Sequence, residues 1–182
     1  QFFTKEELGS LATYESLGRM FVVALSLYID AAFIRYYYKA RATNPDKIDV
    51  FFSSHFWFIV GWGSVAALLL LFLGPSFIPG LPKASPYLLA SLILYHLLSQ
   101  LVVMLTLIWN ANLQAKKVAI FQVSFSLISL LVTLYLILGS EIGWESRIYA
   151  LLLVSLAQLI FVIRTIVNSN LLVLKFDVGI IK

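Results

Sequence analysis

Five runs of about twenty mostly apolar residues, set apart by short polar or proline-bearing breaks, constrain this chain more than any other feature. A helix needs roughly 20 such residues to cross a hydrocarbon core of about 30 Å. The runs lie at about Leu11–Ile34 (span A), Val50–Leu73 (B), Tyr87–Trp109 (C), Val118–Leu138 (D) and Ile148–Val167 (E). The breaks have chemical causes. Span A gives way to Arg35-Tyr-Tyr-Tyr-Lys-Ala-Arg-Ala-Thr-Asn-Pro-Asp, a basic loop with a turn at Asn44-Pro45. Span B ends in Gly74-Pro-Ser-Phe-Ile-Pro-Gly-Leu-Pro-Lys, whose prolines lack the N–H a helix needs. Asn110-Ala-Asn-Leu-Gln-Ala-Lys-Lys separates C from D, and Gly139-Ser-Glu-Ile-Gly-Trp-Glu-Ser-Arg separates D from E. Beyond Asn168 a polar break precedes a half-apolar stretch, readable as an interfacial helix or as the start of a further span.

Composition agrees. Of 182 residues, 61% are hydrophobic and 12% charged, with a mean hydropathy of +0.94. A soluble domain carries about 25% charged residues, and so few charges would leave large apolar patches facing water. The expected fold class is therefore all-α: a polytopic membrane helix bundle of about five transmembrane helices, forming a single transmembrane domain over 1–182.

The cations alternate along the chain. Arg35, Lys39, Arg41 and Lys47 follow span A, Lys116 and Lys117 follow C, and Arg164, Lys175 and Lys182 lie at the far end of E. The opposite side has only Lys5, Lys83 and Arg147. The positive-inside rule puts the A–B and C–D loops and the C-terminus in the cytoplasm and the N-terminus outside. A chain that enters from outside, with no basic n-region ahead of an apolar core and no initiator Met, is expected to be a fragment lacking one upstream helix. Trp109, Trp144, Tyr87 and the run Tyr36-Tyr37-Tyr38 fall at the expected interfaces, where amphipathic rings anchor.

Several chemistries have no residues to carry them. There is no cysteine, which removes disulfides, thiolate metal sites and cysteine nucleophiles. Two histidines, His55 and His96, are too few for a histidine metal cluster. No GxSxG, HExxH, Walker motif or Asp-rich cluster occurs. The expectation is a chain that is not an enzyme, with no cofactor, no metal and no nucleic-acid partner.

Polar residues inside the spans are the functional signal. Glu15, Arg19, Ser26 and Asp30 fall at roughly 0°, 40°, 20° and 60° on a helix of about 100° per residue, one polar stripe on span A. A charge at mid-span costs on the order of 2.5–3.5 kcal/mol on insertion scales, so the stripe is expected to face protein or water. Glu15 and Arg19, one turn apart, can pair. A structural ion pair at the outer helix end and a transport-pathway role weigh about equally. Gln122, Ser126, Ser129 and Thr133 fall within about 60° on span D, and helix packing is the favoured reading there. Gly61, Gly63, Ser64 and Ala67 of span B likewise read as close-packing positions. His96 and Gln100 sit one turn apart in span C. A proton relay at His96 is the weaker reading beside a neutral imidazole bonded to a neighbour. Ser155 and Gln158 complete the set in span E, and Arg164 is expected to snorkel to the interface.

Three segments resemble one family. Thr4-Lys-Glu-Glu-Leu-Gly-Ser-Leu-Ala is similar to the T-x-E-E-[FY]-G-x-[LY] segment after the first helix of Wzx-type O-antigen and polysaccharide flippases, of the multidrug/oligosaccharidyl-lipid/polysaccharide (MOP) exporter superfamily. Leu25-Ser-Leu-Tyr-Ile-Asp-Ala-Ala-Phe-Ile-Arg-Tyr-Tyr-Tyr resembles the end of their second helix, S-L-G-L-D-A-A-x-x-R-[FY]-[FY], with Tyr28 where Gly is usual. Asn112-Leu-Gln-Ala-Lys-Lys-Val-Ala resembles the basic hinge between helices four and five, with Asn110 and Asn112 where Arg is common. The resemblance implies helices two to six of one lobe of a two-lobed transporter in the bacterial inner membrane. It implies translocation of an undecaprenyl-pyrophosphate-linked sugar unit by alternating access, with the lipid-linked oligosaccharide and the bilayer as partners and H+ or Na+ as a coupling ion. The substrate-cavity candidates are Glu15, Arg19, Ser26, Asp30, Arg35, His96, Gln100, Gln122 and Gln158. Arg19 would line the cavity, Asp30 and Arg35 would shape its cytoplasmic mouth, and Glu15 and His96 would titrate. The alternatives are a drug/cation antiporter of the same superfamily, which would present an acidic cavity, a membrane-embedded lipid-phosphate or glycosyl-carrier enzyme, and a non-transporting scaffold.

Overall fold

The TKEE segment begins a helix because Thr4 caps it. In the computed structural model, which describes residues 3–27, 29–43, 47–77, 86–139 and 143–169 (for 29–31 and 74–77 the backbone only), Glu7 N–H donates to Thr4 Oγ1 at 3.2 Å and Thr4 N–H donates to Glu7 Oε2 at 2.7 Å. That reciprocal capping box satisfies two N-terminal donors of α1 (Lys5–Ser26). Five further helices follow: α2 (Ile29–Thr43), α3 (Ile48–Phe77), α4 (Pro86–Ala111), α5 (Ala115–Gly139) and α6 (Ser146–Asn168), with a 3-10 turn at Gly143–Glu145 leading into α6.

The structure departs from the sequence reading at span A. No single helix covers Leu11–Ile34. Leu27 adopts the left-handed conformation (φ 49°, ψ 27°) and ends α1. A left-handed turn costs a leucine about 1–2 kcal/mol, and neighbours stabilise the break. Leu27 N–H donates to Val23 O at 3.0 Å, and the Trp62 indole of α3 donates to Ala24 O at 2.9 Å, occupying a carbonyl exposed by the helix end. The expected basic loop after Ile34 is also helical, to Thr43. Ala, Lys and Arg are good helix formers, and nothing forbids helix until the residue before Pro45; Asn44 to Asp46 lie outside the described residues.

Among the described residues four stretches are long and apolar enough to cross a membrane: Ile48–Leu73, Pro86–Ala111, Ala115–Gly139 and Gly143–Asn168. They match spans B to E to within a few residues. α4 is the central helix, packed against α1, α2, α3, α5 and α6. Two apolar clusters form along it. One gathers Tyr14, Phe21 and Leu25 of α1 with Leu88, Leu92 and Ile93 of α4 and Ile148 of α6. The other gathers Phe33 and Tyr37 of α2 with Phe52 of α3, Met104 and Ile108 of α4 and Ile166 of α6. Tyr37, expected at an interface, is thus a core residue, and Trp144 packs against Tyr14 in a tilted pair with ring centroids 5.3 Å apart. His55 is buried too, its ring 4.3 Å from Phe51 and its Nδ1 2.9 Å from Phe51 O. Gly63 packs directly on Leu97, whose Cδ1 a Cβ would meet, and Ala67 is buried, the small-residue contacts expected of span B; Gly61 and Ser64, expected to pack as well, face outward and are exposed. Outward, α5 exposes Val123, Leu127, Leu130, Leu131, Leu134 and Leu138, and α3 exposes Val65, Leu68 and Phe72. Apolar surface on that scale suits lipid, not water. The chain is an all-α, polytopic membrane helix bundle.

Candidate functional groove

Beside the first apolar cluster, α1, α4 and α6 present polar side chains to a shared open cavity. α1 supplies Glu15 and Arg19, both on its open face, and α4 presents Tyr95 and His96. α6 presents Arg147 and Leu151, and these residues line a cavity of about 290 Å³. A second cavity of about 290 Å³ shares Tyr95, Arg147 and Leu151 with the first and adds Ser126 and Ser129 of α5 and Gln158 of α6. The two form one polar groove with Tyr95 and Arg147 at its waist.

Arg147 is held there by hydroxyls. Its Nη1 donates to Ser129 Oγ at 3.2 Å and reaches Thr133 Oγ1 at 3.5 Å. Thr133 in turn donates its own proton to Ser129 O at 2.7 Å. Both hydroxyl side chains are buried, so they offer the guanidinium fixed dipoles in place of water. Neutral hydroxyls hold the guanidinium in place without cancelling its positive charge.

His96 is seated by a missing side chain. A Cβ on Gly18 of α1 would collide with His96 Nε2, so α1 approaches α4 where only glycine fits. The Tyr95 and His96 rings lie 4.6 Å apart. Depth follows from register. Glu15, His96 and Ser129 each stand ten residues from the same end of the bundle, about 15 Å at 1.5 Å per residue, well inside the 26 and 25 residues of α4 and α5.

Of the sequence candidates, the fold brings Glu15, Arg19, His96 and Gln158 to this groove. Glu15 and Arg19 do not pair with each other; they flank it. Ser26 is buried at the far end of α1, Gln100 is buried one turn beyond His96, and Gln122 is exposed on α5. Arg35 is exposed on α2 at the opposite end, and the side chain of Asp30 lies outside the described residues. The sequence reading missed Arg147 and Tyr95 and took the span D hydroxyls as packing. A signal for Arg147 was present: Arg147, Leu151, Val154 and Gln158 follow i, i+4, i+7, i+11, one face of α6.

No protein-family model matches the chain, and no curated protein and no solved structure matches it. A multi-helix membrane bundle with a polar groove at its middle is consistent with a membrane transport protein in general.

Proposed function

We propose that this chain is part of a flippase that moves a lipid-linked saccharide, carried on a polyprenyl pyrophosphate, across a bacterial inner membrane. One observation carries the reading: two guanidiniums, Arg19 and Arg147, line one mid-depth groove with a single carboxylate, Glu15, beside neutral donors and acceptors. A pyrophosphate crossing hydrocarbon needs charge-complementary, geometrically matched donors, and arginine provides them. Sugars need a lining of amides and hydroxyls, here Gln158, Ser126, Ser129 and Tyr95. The resemblance of the Thr4, Leu25 and Asn112 segments to polysaccharide flippases supports the same cargo.

In this reading alternating access rocks one lobe against another about a mid-membrane site, and no bond in the cargo is made or broken. Coupling to H+ or Na+ would pass through Glu15 and His96, which share the first cavity with Arg19. The end bearing the α1 N-terminus faces outside, following the lysine and arginine tally. A cation antiporter is the weaker reading, because the groove's charge is net positive.

The test is complementation. A flippase-deficient bacterial strain expressing the full reading frame that contains this chain should regain surface polysaccharide. Arg147→Ala, at equal membrane abundance, should not restore it, and Arg147→Lys should restore it in part. Full restoration by Arg147→Ala would reject the assignment.

A further inference from the structure

At the opposite end of the bundle α4, α5 and α6 enclose a larger groove of about 620 Å³, within the range of roughly 300–1,000 Å³ found for small-molecule sites. Its two halves differ in chemistry. The walls are one aromatic cluster: Phe121 lies 5.5 Å from Trp109, 4.8 Å from Phe125 and 5.4 Å from Phe161, centroid to centroid. The rim is polar, with Asn112, Gln114 and Ser169 around Lys117, and among the described residues no carboxylate lines the groove. Asn112 is fixed from outside, since Arg41 of α2 donates to its Oδ1 at 2.6 Å. Lys116 and Lys39 are exposed at the same end.

We propose that this groove binds one anionic phospholipid of the adjacent leaflet, its phosphate at Lys117 and one acyl chain along the Trp109–Phe121–Phe125–Phe161 wall. The arrangement matches an amphiphile entering along the helix axes: cationic and amide donors sit at the end where headgroups lie, and an apolar slot runs inward from them. The rim charge is positive, with no counter-charge among the described residues of the groove, which favours a phosphatidylglycerol-type lipid over a zwitterionic one. A basic residue near an anionic surface contributes an affinity factor of about five. The site is separate from the mid-membrane groove and does not depend on what that groove carries.

Trp109 reports directly on occupancy. Full-length protein is reconstituted in phosphatidylcholine vesicles doped with brominated-chain phosphatidylglycerol or brominated-chain phosphatidylcholine, and the native signal minus that of Trp109→Phe is followed. Half-quenching of the Trp109 component is expected at about a fivefold lower fraction of the anionic lipid, and Lys117→Gln should abolish the difference while Lys117→Arg keeps it. Equal quenching by the two lipids, or a preference that survives Lys117→Gln, overturns the proposal. Should Trp109→Phe fail to fold, phosphatidylglycerol retained per protein through purification serves instead. A drop in Lys117→Gln supports the site, and no change overturns it. The chain's own residues 170–182 are the rival occupant. Because the sequence has no cysteine, a disulfide formed between cysteines placed at Ile120 and Ile180 would assign the groove to that segment and overturn the lipid.

Discussion

Arg147 Nη1 donates to Ser129 Oγ across 3.2 Å, joining the start of α6 to the middle of α5. A hydrogen bond to a charged group contributes about 1.5–3 kcal/mol when its partners are desolvated. Ser129→Ala is expected to cost about 1 kcal/mol, because Thr133 remains as a second acceptor. A double-mutant cycle of Arg147→Ala with Ser129→Ala should show a coupling of about 0.5–1.5 kcal/mol. Unfolding titrations of the purified protein measure it, and additive effects would show that the two side chains do not act together.

Gly18 is where α1 meets His96. Gly18→Ala places a methyl against His96 Nε2, and overpacking of this kind costs about 1–3 kcal/mol. The double variant Gly18→Ala with His96→Ala removes the obstruction and should recover most of the lost stability. Thermal unfolding of the three variants is the measurement. A double variant no more stable than Gly18→Ala would mean that the glycine is required for another reason.

The α4–α5 connection holds a second residue in the left-handed region. Leu113 has φ 58°. Gln114 N–H donates to Trp109 O at 2.8 Å and Leu113 N–H to Asn110 O at 3.0 Å, the bonding pattern of a Schellman cap with leucine where glycine is preferred. Its side chain is 89% exposed, so little packing is lost on truncation. Leu113→Gly should raise stability by about 0.5–1 kcal/mol, the relief of left-handed strain less the added chain entropy. Leu113→Val should lower it, since a β-branched residue fits that region least. Melting temperatures of the two variants moving in the same direction would contradict the cap.

The proposed sidedness rests on the charge tally and is open to direct measurement. Single cysteines at Glu6 and Lys116, both exposed, sit at opposite ends of the bundle in a chain with no cysteine of its own. A membrane-impermeant maleimide should label Glu6→Cys in intact cells and Lys116→Cys only after permeabilisation. The reverse pattern would invert the topology and with it the direction proposed for transport.

Much of the architecture was legible because length and hydropathy alone define a spanning helix, and B to E appear as such. The break in span A was not legible. No glycine or proline marks Leu27, and the bond that stabilises the break comes from Trp62, thirty-eight positions from Ala24. The continuation of α2 through Arg41 was misread because a run of cations suggested a loop, whereas Arg41 is occupied on Asn112. In the groove, Glu15, Arg19, His96 and Gln158 could be found as polar residues in apolar runs. Arg147 escaped because it stands at a helix start, where a cation passes for an interface anchor. Only the packing of α5 against α6 turns it onto Ser129. The aromatic groove at the other end was hidden for the opposite reason: Phe121, Phe125 and Phe161 are ordinary apolar residues until three helices bring them together.

The proposed cargo of the Arg147 groove is an anionic, lipid-linked saccharide. The most direct measurement reconstitutes the full-length protein in vesicles with a fluorescent polyprenyl-pyrophosphate saccharide and follows its arrival in the opposite leaflet with a membrane-impermeant glycan-modifying reagent. The account predicts transport by the native protein, at least about a tenfold lower rate in Arg147→Ala, as expected when a charge-assisted contact worth about 1.5–3 kcal/mol is lost, and partial recovery in Arg147→Lys. Transport by Arg147→Ala at the native rate would contradict it.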